Sequence, residues 1–210
     1  MRTGKGLFVT FEGIDGSGKS TQVTSLRRSL EDKGIQVIVI REPGGTRIGE
    51  KIRSILLDKA NTDMSSRTEL MLYEAARSQI VDEVILPSLK EGKVVICDRF
   101  FDSTIAYQGY ARGVDLEAIN LLNQFAAGGL QPDLTFLLDL PVKAALDRIH
   151  IRVGEKDRLE LEGYAFMENV RSGYLAWAGK NKRIVTLDAM SPASVMAEYI
   201  DSKFWEVFNT

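Results

Sequence analysis

Leu7-Phe8-Val9-Thr10-Phe11-Glu12-Gly13-Ile14-Asp15-Gly16-Ser17-Gly18-Lys19-Ser20-Thr21 is the stretch on which the fold turns. Its first five residues are β-branched or aromatic and predict a strand. Gly13 to Ser20 then fits the pattern Gly-x4-Gly-Lys-[Ser/Thr], and a helix-like run follows. A strand, a glycine loop and a helix in that order form a phosphate cradle. The glycines let successive backbone N–H groups turn toward phosphate oxygens. The helix start adds its positive dipole end. Lys19 is placed to reach β- and γ-phosphates, and Ser20 to offer a hydroxyl to Mg2+. The ATP-binding set read from this stretch is Gly13, Ile14, Asp15, Gly16, Ser17, Gly18, Lys19, Ser20 and Thr21.

Outward from this loop, short apolar runs alternate with longer helical patterns. Strands are expected at Leu7–Phe11, Gln36–Ile40, Val94–Cys97, Leu134–Asp139 and Ile184–Leu187. They are apolar at nearly every position, as for parallel strands covered on both faces. Helices are expected at Lys19–Lys33, Ile48–Asp58, Ser66–Lys90, Ser103–Ala111, Leu116–Ala127, Pro141–Ile149, Glu160–Gly179 and Pro192–Phe208. Gly34 and Gly92 stand at helix ends, Pro141 and Pro192 at helix starts. The chain therefore reads as a single α/β domain, 1–210. The expected architecture is the P-loop NTPase fold, a parallel five-stranded sheet flanked by helices, with a short lid at about 148–160. Ligands belong over the carboxyl ends of the strands.

Composition removes several classes. The 210 residues are 44% hydrophobic and 27% charged with a net charge of −2, which argues against a nucleic-acid or membrane binder. No apolar run reaches membrane-span length, and Met1–Gly6 lacks the pattern of a secretory signal. Cys97 is the single cysteine, so no intrachain disulfide forms, and a cytoplasmic location is expected. Within Val94–Cys97 it reads as a buried thiol.

Four clusters lie after the strands. Arg41-Glu42-Pro43-Gly44-Gly45-Thr46 makes a turn with two charges at a strand tip. Tyr73 and Arg77 share one helix face. Asp98-Arg99-Phe100-Phe101-Asp102-Ser103-Thr104-Ile105-Ala106-Tyr107-Gln108-Gly109 ends a strand in an acid beside the phosphate loop, where Asp98 suits Mg2+. Arg99 offers a fork of donors to phosphate. Thr104, Tyr107 and Gln108 occupy one helix face, and Asp102 or Ser103 is expected to cap that helix. Arg148-Ile149-His150-Ile151-Arg152-Val153-Gly154-Glu155-Lys156-Asp157-Arg158 reads as a lid whose arginines fold over the triphosphate. His150 has no chemical role in this reading.

In order and across essentially the whole chain, these motifs resemble the thymidylate kinase family. The resemblance implies transfer of the γ-phosphoryl group of ATP to dTMP, with ATP and dTMP as ligands and Mg2+ as cofactor. It implies that Glu42, Arg53, Arg77 and Arg99 surround the acceptor phosphate and its neighbourhood. It implies that Tyr73 stacks on thymine, that Thr104 and Gln108 contact the base edge, and that Tyr107 crowds the sugar. Asp15 would contact the acceptor's sugar side. Arg148 would lie against the donor adenine, with backbone near Asp188-Ala189 completing that pocket. The loop has no basic residue besides Lys19, so the chain resembles the subtype that draws the missing charge from the lid, here Arg152 and Arg158. Lys19, Arg99, Arg152, Arg158 and Asp15 form the implied catalytic set. Ser20 and Asp98 are the metal positions, and a homodimer is implied.

Two other readings compete. A kinase of the same architecture acting on another deoxynucleotide or a nucleoside is the first. A nucleoside acceptor needs a carboxylate base, for which Glu12 and Asp15 are the loop candidates. A GTP-dependent switch is the second, and the chain lacks its motifs. Asn181-Lys182-Arg183-Ile184 misses the final acid of Asn-Lys-x-Asp, and Asp98-Arg99-Phe100-Phe101 replaces Asp-x-x-Gly.

Overall fold

The computed structural model describes residues 6–151, 158–159 and 162–209. Arg152, most of the expected lid and the side chain of His150 lie outside the described residues. Five strands form one parallel sheet: β1 Leu7–Glu12, β2 Val37–Arg41, β3 Val94–Asp98, β4 Leu134–Asp139 and β5 Ile184–Asp188. Their spatial order is β2-β3-β1-β4-β5. Four strands run one residue past the expected end, to Glu12, Arg41, Asp98 and Asp188. In each case the extra residue is charged. An apolar criterion stops at the first charge, whereas the ladder uses only backbone groups.

The helices are α1 Lys19–Asp32, α2 Arg47–Leu57, α3 Ser66–Ile80, α4 Leu86–Lys90, α5 Phe101–Thr104, α6 Leu116–Ala126, α7 Val142–Ile151, α8 Tyr164–Ala178 and α9 Ala193–Phe208. Two of the expected helices are interrupted. Ser66–Lys90 passes through a π-helical turn at Val81–Ile85, where the Leu86 N–H reaches back to the Val81 carbonyl. Pro87 follows, with no N–H to continue the α pattern. The helix after β3 likewise becomes π-helical over Ile105–Ala111. Asp102 and Ser103 do not cap it. Its N-cap is Phe100, without a side-chain bond. Asp102 is instead buried and accepts from Trp177 Nε1 (2.7 Å) and from Arg183 Nη1 and Nη2 (2.8 and 2.7 Å).

Alternation along β1 divides the core. Leu7, Val9 and Phe11 pack with Leu26 and Leu30 of α1, Val170 of α8 and Ile200 and Phe204 of α9. Phe8 points the other way, to Ile80, Val81, Ile85 and Phe100. Each such side chain contributes about 1.5–3 kcal/mol on burial. The aromatic end of α9 belongs to this packing: Phe204 is fully buried and makes ring contacts with Trp205 and Phe208. No helix among the described residues is long and apolar enough to cross a membrane.

Candidate active site

The sheet order decides what meets at its carboxyl edge. β2, β3 and β1 are neighbours, with Arg41 opposite Asp98 and Asp98 opposite Phe11. The turn after β2, the Asp98-Arg99 pair and the phosphate loop therefore end at one level.

In the loop, Gly13, Gly16 and Gly18 all have positive φ (133°, 80° and 95°). Gly13 has a second reason to lack a side chain, since a Cβ there would stand 2.5 Å from the Leu138 carbonyl oxygen. Ile14 and Ser17 are buried beneath the loop, while Gly16, Gly18, Ser20 and Thr21 line an open cavity with Lys19, Asp98, Arg41 and Arg53. The Lys19 ammonium is held over the loop by the carbonyls of Gly13 (3.0 Å) and Ile14 (3.2 Å). Its pKa is lowered, first by burial and then by the Arg99 charge. Ser20 Oγ donates to Asp98 Oδ2 at 3.3 Å. A hydroxyl beside a carboxylate at a phosphate cradle is the oxygen set a hard cation takes, most of its shell coming from phosphate and water. Arg148 is in the last turn of α7, not in a loop. It donates to the carbonyls of Gly16 (3.2 Å) and Ala189 (3.0 Å), so it joins the phosphate loop to the chain after β5.

A second cavity opens beside the first. Its walls are Tyr73 and Arg77 of α3, Arg53 and Leu57 of α2, Thr104, Tyr107 and Gln108 of the helix after β3, and Leu159. Asp15, Glu42, Arg53 and Arg99 line both cavities, so the two meet at these four residues.

Arg99 stands at the junction with φ 72°, an uncommon conformation for a side-chain-bearing residue. Holding it there costs about 1–3 kcal/mol. The neighbours over-determine it. Its N–H donates to the Phe11 carbonyl (2.9 Å), and its own carbonyl accepts from Cys97 Sγ (2.8 Å). The guanidinium donates to Asp15 Oδ1 (2.8 Å), the Gly13 carbonyl (2.9 Å) and the Tyr174 hydroxyl (3.1 Å).

Behind Arg99 is a group that sequence reasoning used only as a candidate base. Glu12 is fully buried, and its carboxylate accepts from the Phe100 N–H (2.7 Å), Ser103 Oγ (2.6 Å) and the Tyr174 hydroxyl (2.9 Å). Its pKa is pushed up to about 7 by burial and then by the Asp102 charge. A carboxylate spent on three donors beneath Arg99 supports the site and does not face a substrate hydroxyl. Tyr174 was missed altogether. It lies in α8, distant in sequence from the signature it completes.

Arg77 is not a solvated cation. It is 1% exposed and donates to Glu42 Oε2 (2.9 Å), Glu74 Oε1 (2.8 Å), Asn123 Oδ1 (2.8 Å) and Thr104 Oγ1 (2.9 Å). Two carboxylates balance its charge, and it sits beside Thr104. Burial lifts the Glu42 carboxyl to about 7, against the lowering pull of Arg77.

Arg158, expected over the triphosphate, is elsewhere in this structure. It is buried against α2 and α3, donating from Nε to the Leu56 carbonyl (2.8 Å) and from Nη2 to Glu69. The buried Glu69 carboxylate needs cationic partners, and Arg158 is within its reach. A signal for Glu69 existed: it precedes Tyr73 by one turn and Arg77 by two on the same face of α3.

Comparison with known proteins agrees with this geometry. The family model described as thymidylate kinase matches residues 11–200. A protein of Desulfosudis oleivorans named thymidylate kinase is 50% identical over 198 residues, 91% of this chain and 92% of that protein. One of Geotalea daltonii with the same name is 50% identical over 183 residues, 84% of this chain and 86% of its own. One of Pelobacter propionicus, again so named, is 47% identical over 201 residues, 93% and 92% of the two chains. With the phosphate loop, the paired cavities and the Asp98-Arg99 junction in one continuous match, the chain belongs to the thymidylate kinase family.

Proposed function

We propose that this protein transfers the γ-phosphoryl group of ATP to dTMP, giving dTDP and ADP. The observation that carries the reading is the junction of the two cavities at Asp15, Glu42, Arg53 and Arg99. A donor triphosphate on the loop and an acceptor monophosphate in the second cavity would face each other there. An oxygen of the acceptor phosphate attacks the γ-phosphorus, the bond to the β–γ bridging oxygen breaks, and ADP leaves. The attacking oxygen is already ionised near neutral pH, so no general base is required. The remaining task is to align two polyanions and offset their repulsion.

In this assignment Lys19 and the loop N–H groups take the β- and γ-phosphates. Arg99 and Arg53 take the acceptor phosphate and the transferring group. Asp15 orients Arg99 and touches the acceptor's sugar side. Tyr73 stacks on the base, Tyr107 crowds the sugar, and Thr104 with Gln108 reads the base edge, with Arg77 in the same wall. Arg148 flanks the adenine. Ser20 and Asp98 would hold Mg2+, which supplies charge neutralisation across the phosphates when bound. Arg152 keeps the role that the family resemblance gives it, whereas Arg158 is paired with Glu69 in this structure. The chain is one domain and a homodimer. Leu121 and Phe125, one turn apart on α6, are 69% and 84% exposed, an apolar face suited to a second copy.

ADP release from ATP–Mg2+ with dTMP, dUMP, dGMP, dAMP, dCMP and thymidine offered separately tests the reaction. Strong turnover with dTMP and little with thymidine or the purine nucleotides is the expected result. Binding of ATP without stimulation by any acceptor would remove the kinase assignment.

A further inference from the structure

A further cavity, of about 320 Å³, lies between α6, the chain that follows it, the end of α8 and the residues before β5. That volume is within the range of small-molecule sites. Its wall differs in kind from those of the two cavities above, because carboxamides dominate it: Asn120, Asn123, Gln124, Gln131 and Asn181. Arg183 is the one charged side chain among the described residues of the wall, and Asp102 balances it by accepting from Nη1 and Nη2 (2.8 and 2.7 Å). The same guanidinium lies over the Phe101 ring, 5.0 Å from its centroid, so a flat cationic and aromatic layer forms one side. At about 3.6 residues per turn, Asn120, Asn123 and Gln124 make a stripe of α6 separate from the exposed Leu121 and Phe125.

Asn123 joins this cavity to the acceptor cavity. It is 5% exposed, and its Oδ1 accepts from Arg77 Nη1 at 2.8 Å. A guanidinium has no acceptor, so the half of the carboxamide that meets Arg77 is the oxygen. Nδ2 is the other half, and it is buried without a hydrogen-bond partner. An orphaned donor of this kind is rare in a folded protein. Asn123 lines the carboxamide cavity, whereas Arg77 lines the acceptor cavity, so the donor that needs an acceptor belongs to the former.

We propose that this cavity is a second ligand site, that it takes an uncharged purine nucleoside, and that the Asn123–Arg77 bond couples it to the acceptor cavity. The balanced charge of the wall gives no draw to a phosphate. Carboxamides pair with the mixed donor and acceptor edge of a purine. Guanidinium planes and aromatic rings are surfaces on which bases stack. A purine ring nitrogen supplies the acceptor that Asn123 Nδ2 lacks. A nucleoside bound there holds the carboxamide, and through it Arg77, in place. Binding in the acceptor cavity then has less ordering to do and is tightened, and by linkage the acceptor tightens the nucleoside by the same factor. The coupling rests on the acceptor cavity being the dTMP site assigned above.

Adenosine is the probe, titrated by calorimetry into the full-length protein with ADP and dTMP filling the other two sites. One adenosine per chain is expected. With ADP alone present, saturating adenosine is expected to lower the Kd for dTMP about fivefold. Competition at the acceptor cavity would raise that Kd instead. Asn120→Trp fills the cavity from an exposed position of α6. It is expected to abolish both effects and to leave dTMP-dependent turnover without adenosine within about twofold of wild type. Asn123→Asp keeps an oxygen for Arg77 but gives up the donor. It is expected to weaken adenosine about tenfold, and it serves if Asn120→Trp does not fold. No adenosine binding to the filled wild-type protein, binding that survives Asn120→Trp, or a Kd for dTMP that is unchanged or raised overturns the proposal. Wild-type protein without dTMP-dependent ADP release would instead overturn the function on which the coupling rests.

Discussion

Arg99 is where the backbone strain of this molecule meets the chemistry proposed for it. It has a left-handed backbone, ties to the loop through Gly13 and Asp15, and rests on the Ser103–Tyr174–Glu12 group. Arg99→Ala is expected to lose turnover by on the order of 10^3 or more, by analogy with arginine fingers, while ATP affinity measured by titration stays close to wild type. Tyr174→Phe removes one hydroxyl that supports the guanidinium. Its kcat is expected to fall about three- to tenfold, the worth of one net hydrogen bond, with KM for ATP unchanged. Equal kcat in the two proteins would show that Tyr174 does not position Arg99. Glu12 gives a pH dependence whose sign is fixed. Its pKa is about 7 folded, against an ordinary 4.5, because burial and then Asp102 disfavour the charge. Between those values the folded protein holds a proton that the unfolded chain does not. The stability from this group is therefore complete below the lower value and lost as pH rises through the upper one. Urea unfolding from about pH 5 to pH 8 should show Glu12→Gln losing less stability than wild type. Glu42 has the same sign and remains in that variant, so the decline is reduced, not abolished.

Among the elements, the strand–loop–helix unit combines tight backbone approach with open hydrogen-bond donors. Gly13 is its least replaceable position, with φ 133° and the Leu138 carbonyl where a Cβ would go. Gly13→Ala is expected to cost more than about 2 kcal/mol in denaturant unfolding and to weaken ATP binding, because strain and overlap act together. A stability within experimental error of wild type would mean that the loop relaxes without cost. The π-helical turn at Ile105–Ala111 is the other element that shapes the site. It carries Tyr107 and Gln108, and packs tightly where a Cβ on Gly109 would lie 2.5 Å from Leu116 Cδ2. Helical periodicity placed these residues on a helix, but nothing in their spacing separates α from π winding. That choice is made by what packs around the turn.

For the molecule as a whole, the parallel order β2-β3-β1-β4-β5 collects three strand tips into one edge and lets two cavities share a wall. α6 carries an exposed apolar face. Its Leu121 and Phe125 give the homodimer its prediction. Sedimentation should report a species of twice the 23.4 kDa chain, and Phe125→Lys should shift it toward the single chain while each chain keeps its nucleotide site. A single-chain mass for wild type would leave α6 without this role.

The amino-acid sequence alone determined the sheet, its strands and the phosphate loop, because hydrophobic period and a glycine–lysine pattern are local signals that backbone geometry obeys directly. It also put Glu42, Asp98 and Arg99 at one edge, since they end or follow neighbouring parallel strands. Tertiary structure alone decided which charges are spent and which remain. Arg77 was legible as a cation four residues from Tyr73, yet its charge is balanced by Glu42 and Glu74 from two separate elements. Arg158 reads as a free lid arginine until Glu69, 89 residues away, claims it. Glu12 looks like an available base until Ser103 and Tyr174 close over it. Pairing and burial of charges depend on neighbours brought together from distant parts of the chain. Coulomb energy and desolvation act on those distances in space, and no spacing along a sequence encodes them.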